Sequence, residues 1–183
     1  MARLAALILA GGRGIRYGGP KALARTVSGD AWLSLVGTTL GAVADEVVAV
    51  IPAGLAAARQ LAPDTVQIVE APAQSVGLSD SLRAGLAALD DSTADAVIIT
   101  TVDLPTLPVE VLRRVIGPNA GVTTLRRAIF DGRPGHPVVI GREHWPALLA
   151  TLHGDTGAGE YLRAQSAVSV ECSDLFHGHD IDT

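Results

Sequence analysis

Short aliphatic and β-branched runs alternate with longer stretches of helical periodicity through the first half of this chain, and that rhythm leaves few folds open. Ala5–Leu9, Glu46–Ile51, Val66–Val69 and Ala96–Thr101 read as strands, with Trp32–Val43, Gly54–Leu61 and Ser79–Leu89 as helices between them. Parallel neighbours in a sheet need a crossover long enough to hold a helix, so the pattern predicts an α/β fold: a three-layer, doubly wound, mostly parallel sheet. Right-handed crossovers then gather the loops that follow the strands on one edge, where such sheets bind ligands.

The rhythm changes after Asp103-Leu104-Pro105. A short helix (Val109–Val115) leads to a strand at Val122–Leu125 and an irregular segment from Ile129 to His136. A strand at Val138–Ile140, a helix from Arg142 to Leu152, a helix near Gly157–Ala164 and a strand at Val168–Cys172 complete the pattern. With no linker, repeat or low-complexity tract, residues 1–183 read as one domain whose C-terminal half is an α+β elaboration over one side of a pocket.

Composition narrows the function. Hydrophobic residues make up 48% of the chain but aromatics only 3%, which suits a core of small aliphatics between helices and a parallel sheet. A net charge of -5 argues against a nucleic-acid partner, because phosphate backbones need a basic surface. Any phosphate site must therefore be local and loop-borne. A single cysteine, Cys172, allows neither an internal disulfide nor a Cys-based metal cluster, and is expected of a cytoplasmic protein. The apolar run after Met1-Ala2-Arg3 stops at Gly11-Gly12-Arg13 and reads as a buried strand rather than a signal peptide. No stretch approaches the roughly 20 apolar residues of a membrane span.

Lys21 is the only lysine; the other thirteen of the fourteen basic residues are arginine. It ends the glycine-rich run Ala10-Gly11-Gly12-Arg13-Gly14-Ile15-Arg16-Tyr17-Gly18-Gly19-Pro20-Lys21, directly after the first strand. Lysine is a compact point charge where arginine is a planar fork. Glycines let a backbone approach a ligand and aim its N–H groups at anionic oxygens, so Arg13, Arg16 and Lys21 in this setting point to a polyphosphate. Neither familiar phosphate motif fits. Pro20 and Ala22 flank the lysine where a Walker loop needs Gly before it and Ser or Thr after it. The spacing of Gly12, Gly14 and Gly18 is not that of a dinucleotide fingerprint, and the second strand ends in Ile51-Pro52 with no acidic residue for a ribose.

Asp103 sits just past an apolar strand at the ligand-binding edge, where it could hold Mg2+ as a hard carboxylate or cap a helix. Ser79 and Ser81 open a helix and could cap it. His136 lies in an irregular segment, as a pocket residue or a packed histidine, and Asp155 could cap the next helix or contact a substrate. Trp32 and Trp145 fall in helical patterns and read as core. His177, His179 and Asp180 read as a solvated tail or an adventitious metal site.

Leu9-Ala10-Gly11-Gly12-x-Gly14-x-Arg16-x-Gly18-x-Pro20-Lys21 resembles the signature of sugar-nucleotide and molybdenum-cofactor nucleotidyltransferases, the MobA-like NTP transferase superfamily. Gly77-Leu78-Ser79-Asp80-Ser81-Leu82-Arg83-Ala84-Gly85 is similar to the family's Gly-x-Ser-x-Ser-Leu helix start, and Val102-Asp103-Leu104-Pro105 to its metal-binding turn. Gly135-His136-Pro137-Val138, Gly154-Asp155-x-Gly157-Ala158 and Asp180-Ile181-Asp182-Thr183 resemble late motifs of the molybdenum cofactor cytidylyltransferases.

The resemblance implies a Rossmann-like nucleotidyltransferase that moves CMP from CTP to the terminal phosphate of molybdopterin, the phosphorylated pterin acceptor, and releases pyrophosphate. It implies catalytic Arg16, Lys21 and Asp103, and Mg2+ held by Asp103 and Asp182. Nucleotide contacts would come from Leu9, Ala10, Gly11, Gly12, Arg13, Gly14, Arg16, Lys21, Gly77, Ser79 and Ser81, and acceptor contacts from His136 and Asp155. Residues 1–105 would be the nucleotide half and 106–183 the acceptor half, with a molybdoenzyme or its chaperone as a further partner. The first loop has Leu-Ala-Gly-Gly, as guanylyl relatives do, where the cytidylyl branch has Leu-Ala-Ala-Gly, so GTP is the alternative donor. A non-catalytic cofactor-binding maturation protein is a reading from another class. An NAD(P)-dependent reductase would need the fingerprint that is missing.

Overall fold

The computed structural model describes residues 2–12, 18–74 and 77–178. Seven strands form one sheet: β1 (Leu4–Leu9), β2 (Glu46–Ile51), β3 (Val66–Glu70), β4 (Ala96–Thr101), β5 (Leu125–Phe130), β6 (Arg133–Gly141) and β7 (Val168–Glu171), in the order β3-β2-β1-β4-β6-β5-β7. β1 runs parallel to both β2 and β4, and β2 parallel to β3. β6 is antiparallel to its neighbours β4 and β5, while β5 and β7 pair in parallel.

Among the described residues, five helices cover the two faces: α1 (Trp32–Gly41), α2 (Leu78–Ala88), α3 (Val109–Ile116), α4 (Trp145–Thr151) and α5 (Gly159–Ala164). Strand alternation divides the core. Leu4, Ala6 and Ile8 of β1 face α1 and α3, whose Trp32, Leu33, Leu40, Leu112 and Val115 are buried there. Ala5, Leu7 and Leu9 face α2, α4 and α5 through Leu82, Leu86, Trp145, Leu148 and Leu162. The two faces make three layers. Both tryptophans are core, and Trp145 Nε1 donates to the Ile140 carbonyl at 3.0 Å.

Strand order reverses between β1 and β4. Leu9 and Thr101 lie opposite each other at the carboxyl ends of those strands, so the glycine-rich loop and the Asp103 turn leave the sheet side by side.

Some elements differ from expectation. The segment expected as a helix over Gly54–Leu61 is a 3-10 turn at Ala56–Leu61. The strand expected at Val122–Leu125 begins only at Leu125, with Val122 exposed. The irregular stretch from Ile129 to His136 is instead the hairpin of β5 and β6, turning at Asp131 and Gly132, both with positive φ. Pro134 and Pro137 survive in β6 because its pairing with β4 starts at Val138, and the β5 register shifts between Arg127 and Ile129. A proline near a bulge has no ladder N–H to supply.

Candidate active site at the β1–β4 crevice

Lys21 stands in a 3-10 turn (Lys21–Leu23) that re-enters the fold through buried Ala22. Its Nζ lies 3.0 Å from Asp103 Oδ2, and the two side chains are 17% and 15% exposed. Asp103 follows β4, and the Thr101 hydroxyl donates to its other carboxylate oxygen. Asp103 lies in the turn just past the strand end, two residues after Thr101, so this hydrogen bond lets Thr101 orient the carboxylate for Lys21. The sequence reading missed Thr101, although that spacing was visible.

The backbone of the loop is fixed on both sides. Ala10 gives its N–H to the Val50 carbonyl at 2.9 Å, and the Leu9 carbonyl accepts from Val102 N–H at 3.2 Å. Gly11 abuts α2 so closely that a Cβ there would stand 2.1 Å from Ser81 Oγ, whereas one at Gly12 would meet open space. The loop can therefore present its backbone to a ligand at Gly12. Of the other expected loop residues, Arg13, Gly14 and Arg16 lie outside the described residues, as does Asp182.

The N-terminus of α2 forms the opposite wall. Gly77 is pressed on Gly154, whose carbonyl oxygen would lie 2.2 Å from a Cβ at 77. Ser79, buried like Ser81, gives its hydroxyl to that carbonyl at 2.5 Å. Asp155 Oδ1 accepts the Leu78 N–H at 3.1 Å, so it caps α2 from another part of the chain and not the helix that follows it. His136 lines a cleft of about 240 Å3 beside this wall, together with Leu9, Leu78, Ile99, Arg127 and Leu162. Its Nδ1 lies 3.4 Å from the Ile99 carbonyl, to which it can donate.

The structure thus brings Gly11, Gly12, Lys21, Ser81 and Asp103 to one crevice, with His136 lining an adjoining cleft and Asp155 capping α2 beside it. For a divalent cation the chemistry is suitable: Asp103 is a hard carboxylate at the ligand edge, and Mg2+ takes one or two such ligands with substrate phosphate oxygens. No group of three or more histidine, cysteine, aspartate or glutamate side chains gathers to hold a metal among the described residues. His177 stacks on Phe176, ring centroids 4.4 Å apart, while His179 and Asp180 lie outside the described residues. Nor is any described helix long and apolar enough to cross a membrane.

A mostly parallel sheet with its ligand edge built this way defines a nucleotide-binding α/β class. The chain belongs to the MobA-like NTP transferase domain family, which it matches over residues 6–169. It is 33% identical to nicotine blue oxidoreductase of Paenarthrobacter nicotinovorans, over 97% of this chain and 91% of the relative. The crystal structure of Rv0371c from Mycobacterium tuberculosis superposes with a TM-score of 0.80 at 24% identity, covering 100% of this chain and 94% of that one. Its manganese complex gives 0.76 at 23% identity, over 99% and 94%. A 4-diphosphocytidyl-2C-methyl-D-erythritol synthase gives 0.77 at 16% identity, over 100% and 94%. At these identities the structural likenesses establish the nucleotidyltransferase fold, Rossmann-like and mostly parallel.

Proposed function

We propose that the chain is a cytoplasmic nucleotidyltransferase that moves CMP from CTP to the terminal phosphate of molybdopterin or its molybdenum-loaded form, releasing pyrophosphate. The observation that carries this reading is the Lys21–Asp103 pair, a point cation and a hard carboxylate 3.0 Å apart at the strand-order reversal. The family and its triphosphate-directed loop support the donor; the Gly-His-Pro and Gly-Asp-x-Gly-Ala motifs support the acceptor.

An acceptor phosphate oxygen attacks the α-phosphorus in line, a new P–O bond forms, and the bond to the pyrophosphate oxygen breaks with its electron pair. The attacking oxygen is already anionic at neutral pH, so no general base is needed and catalysis is positioning plus charge stabilisation. Lys21, with Arg16, offsets the charge that builds on the α-phosphate and pyrophosphate. Gly12 and the neighbouring loop residues, from Leu9 to Gly14, track the phosphates; Gly77, Ser79 and Ser81 flank the nucleoside. Asp103 and Asp182 would hold a divalent cation such as Mg2+, which supplies further charge neutralisation when bound. That Rv0371c forms a complex with manganese supports a divalent cation. Residues 1–105 then serve the nucleotide and 106–183 the acceptor, with His136 against it and Asp155 fixing the α2 entrance. A molybdoenzyme or its chaperone would receive the product.

The donor alternative is GTP, because the first loop reads Leu-Ala-Gly-Gly, as in guanylyl relatives, and Gly11 packs on Ser81 where an alanine Cβ would crowd it. A second reading, an oxidoreductase, is favoured by the name of the Paenarthrobacter relative, nicotine blue oxidoreductase. A non-catalytic cofactor carrier on this fold would have little use for the Lys21–Asp103 pair. Pyrophosphate release with each NTP, with and without molybdopterin, decides among them. Release that needs both CTP and molybdopterin is expected; no release with any NTP overturns the transfer reading.

A further inference from the structure

Opposite residues in a sheet point to the same face, and one such row crosses four strands here. Leu7 of β1 lies opposite Ile99 of β4, Ile99 opposite Val138 of β6, and Val138 opposite Arg127 of β5. Three apolar side chains therefore end in a guanidinium, all facing the layer of α2 and α5. Along this row opens the cleft of about 240 Å3 between α2 and α5, and Arg127 and His136 are its two polar side chains among the described lining residues.

Arg127 has no structural employment. Its Nε is buried without a hydrogen-bond partner, and it forms no ion pair among the described residues. Arg126 next to it also has a buried Nε without a partner, but it turns to the other face and donates through Nη1 to the Ile116 carbonyl at 3.2 Å; the Arg142 guanidinium meets four backbone carbonyls. Taking a cation out of water without a partner is costly, so a half-buried guanidinium with no partner is a site for an anion. Its planar fork matches a carboxylate or phosphate bidentately, and the apolar row suits a flat ring.

We propose that this cleft binds a flat heteroaromatic ligand bearing an anionic group, the ring lying along Ile99 and Val138 and the anion paired with Arg127. That this ligand is the acceptor rests on the transfer reading above; the binding chemistry does not. Arg127 is then the residue that selects anionic rings over neutral ones.

The test is fluorescence titration of the full chain with pterin-6-carboxylate and, as the neutral control, 6-hydroxymethylpterin, for the wild type, Arg127→Gln and Arg127→Met. The wild type should bind the carboxylate more tightly than the control. Either substitution should weaken the carboxylate by about 10- to 100-fold, the worth of a charged hydrogen-bonded pair, and leave the control unchanged. Without ligand, the variants should unfold at the same or a higher temperature than the wild type, because a buried N–H without a partner is removed. A purely structural arginine would lower that temperature. No binding of the carboxylate, equal binding of both compounds, or an equal loss for both overturns the proposal. Carboxylate binding through Arg127 without pyrophosphate release keeps this site and removes the transfer reading; pyrophosphate release without Arg127-dependent binding does the reverse.

Discussion

Lys21 Nζ and Asp103 Oδ2 meet at 3.0 Å across two strand-following loops that are 82 residues apart in the chain. The pair closes the crevice where the strand order reverses, and it joins the sole lysine to the carboxylate best placed for a cation.

Lys21→Ala is expected to lower kcat by roughly a hundred- to a thousandfold, the usual effect of deleting one transition-state charge contact, while nucleotide affinity changes far less. Lys21→Arg should not restore the rate, because a planar fork does not replace a point charge against Asp103. Pyrophosphate release over a range of nucleotide concentrations separates the two parameters. A rise in KM with kcat intact would contradict the role assigned to Lys21.

Gly11 and Ser81 are coupled by packing. A Cβ at 11 would stand 2.1 Å from Ser81 Oγ and 3.2 Å from its Cβ, so Gly11→Ala should cost about 1–3 kcal/mol as overpacking. Most of that loss should be recovered in Gly11→Ala/Ser81→Gly, which urea unfolding of all four members of the cycle would measure. Additive losses would mean that the loop escapes the contact.

Most of the sheet was legible before the structure, and for a physical reason. β2 and β4 match their expected bounds, and β1 and β3 differ by one residue; β1, β2 and β4 were readable because strands buried on both faces are nearly unbroken apolar runs. The β5–β6 hairpin was hidden by Pro134, Gly135 and Pro137, which resemble a loop until pairing with β4 is seen to begin at Val138. Asp131-Gly132 was the signal that could have revealed it. Of the site, the glycine loop, Lys21 and Asp103 were readable as local motifs. Asp155 capping α2 and Arg127 facing the cleft are products of tertiary placement, and neither has a local signature.

Arg142 ties the start of α4 to the end of α2. Its Nε donates to Ala94 O at 2.7 Å and its Nη2 to Ser92 O at 2.6 Å, with Leu89 O at 3.3 Å, while the guanidinium lies 4.4 Å from the Trp145 ring centroid. Removing it leaves the Leu89 carbonyl at the C-cap of α2, and the Ser92 and Ala94 carbonyls of the segment leading to β4, without that donor. Arg142→Ala should cost about 2–3 kcal/mol in urea unfolding, with Arg142→Lys intermediate. An unchanged midpoint for Arg142→Ala would show that water replaces the guanidinium there.

Two pH limbs follow from opposite shifts. Burial pushes the Cys172 thiol above its ordinary range, so the folded state favours the protonated form. That contribution is whole below the unfolded thiol pKa of about 8.5 and is lost as pH rises towards the folded value. Stability should therefore fall above about pH 8.5, and less so in Cys172→Ala. Asp174 is held low by its hydrogen bonds from Arg114, so its contribution is present above the unfolded carboxylate pKa of about 3.9 and disappears as pH falls through the lower folded value. Arg114→Gln should flatten this acid limb. Urea midpoints from pH 2 to 10 read both, in a range spanning about these reference values.

The measurement closest to the central claim is thermal unfolding with CTP, GTP, ATP, UTP and NADPH, each with and without Mg2+. At about 100 times its dissociation constant a ligand stabilises the native state by about 2.7 kcal/mol, a shift readily seen in a melting curve. The transfer mechanism predicts a shift with CTP, or with GTP in its place, that requires Mg2+ and is lost in Asp103→Asn. No shift with any nucleotide, or one with NADPH alone, would contradict it.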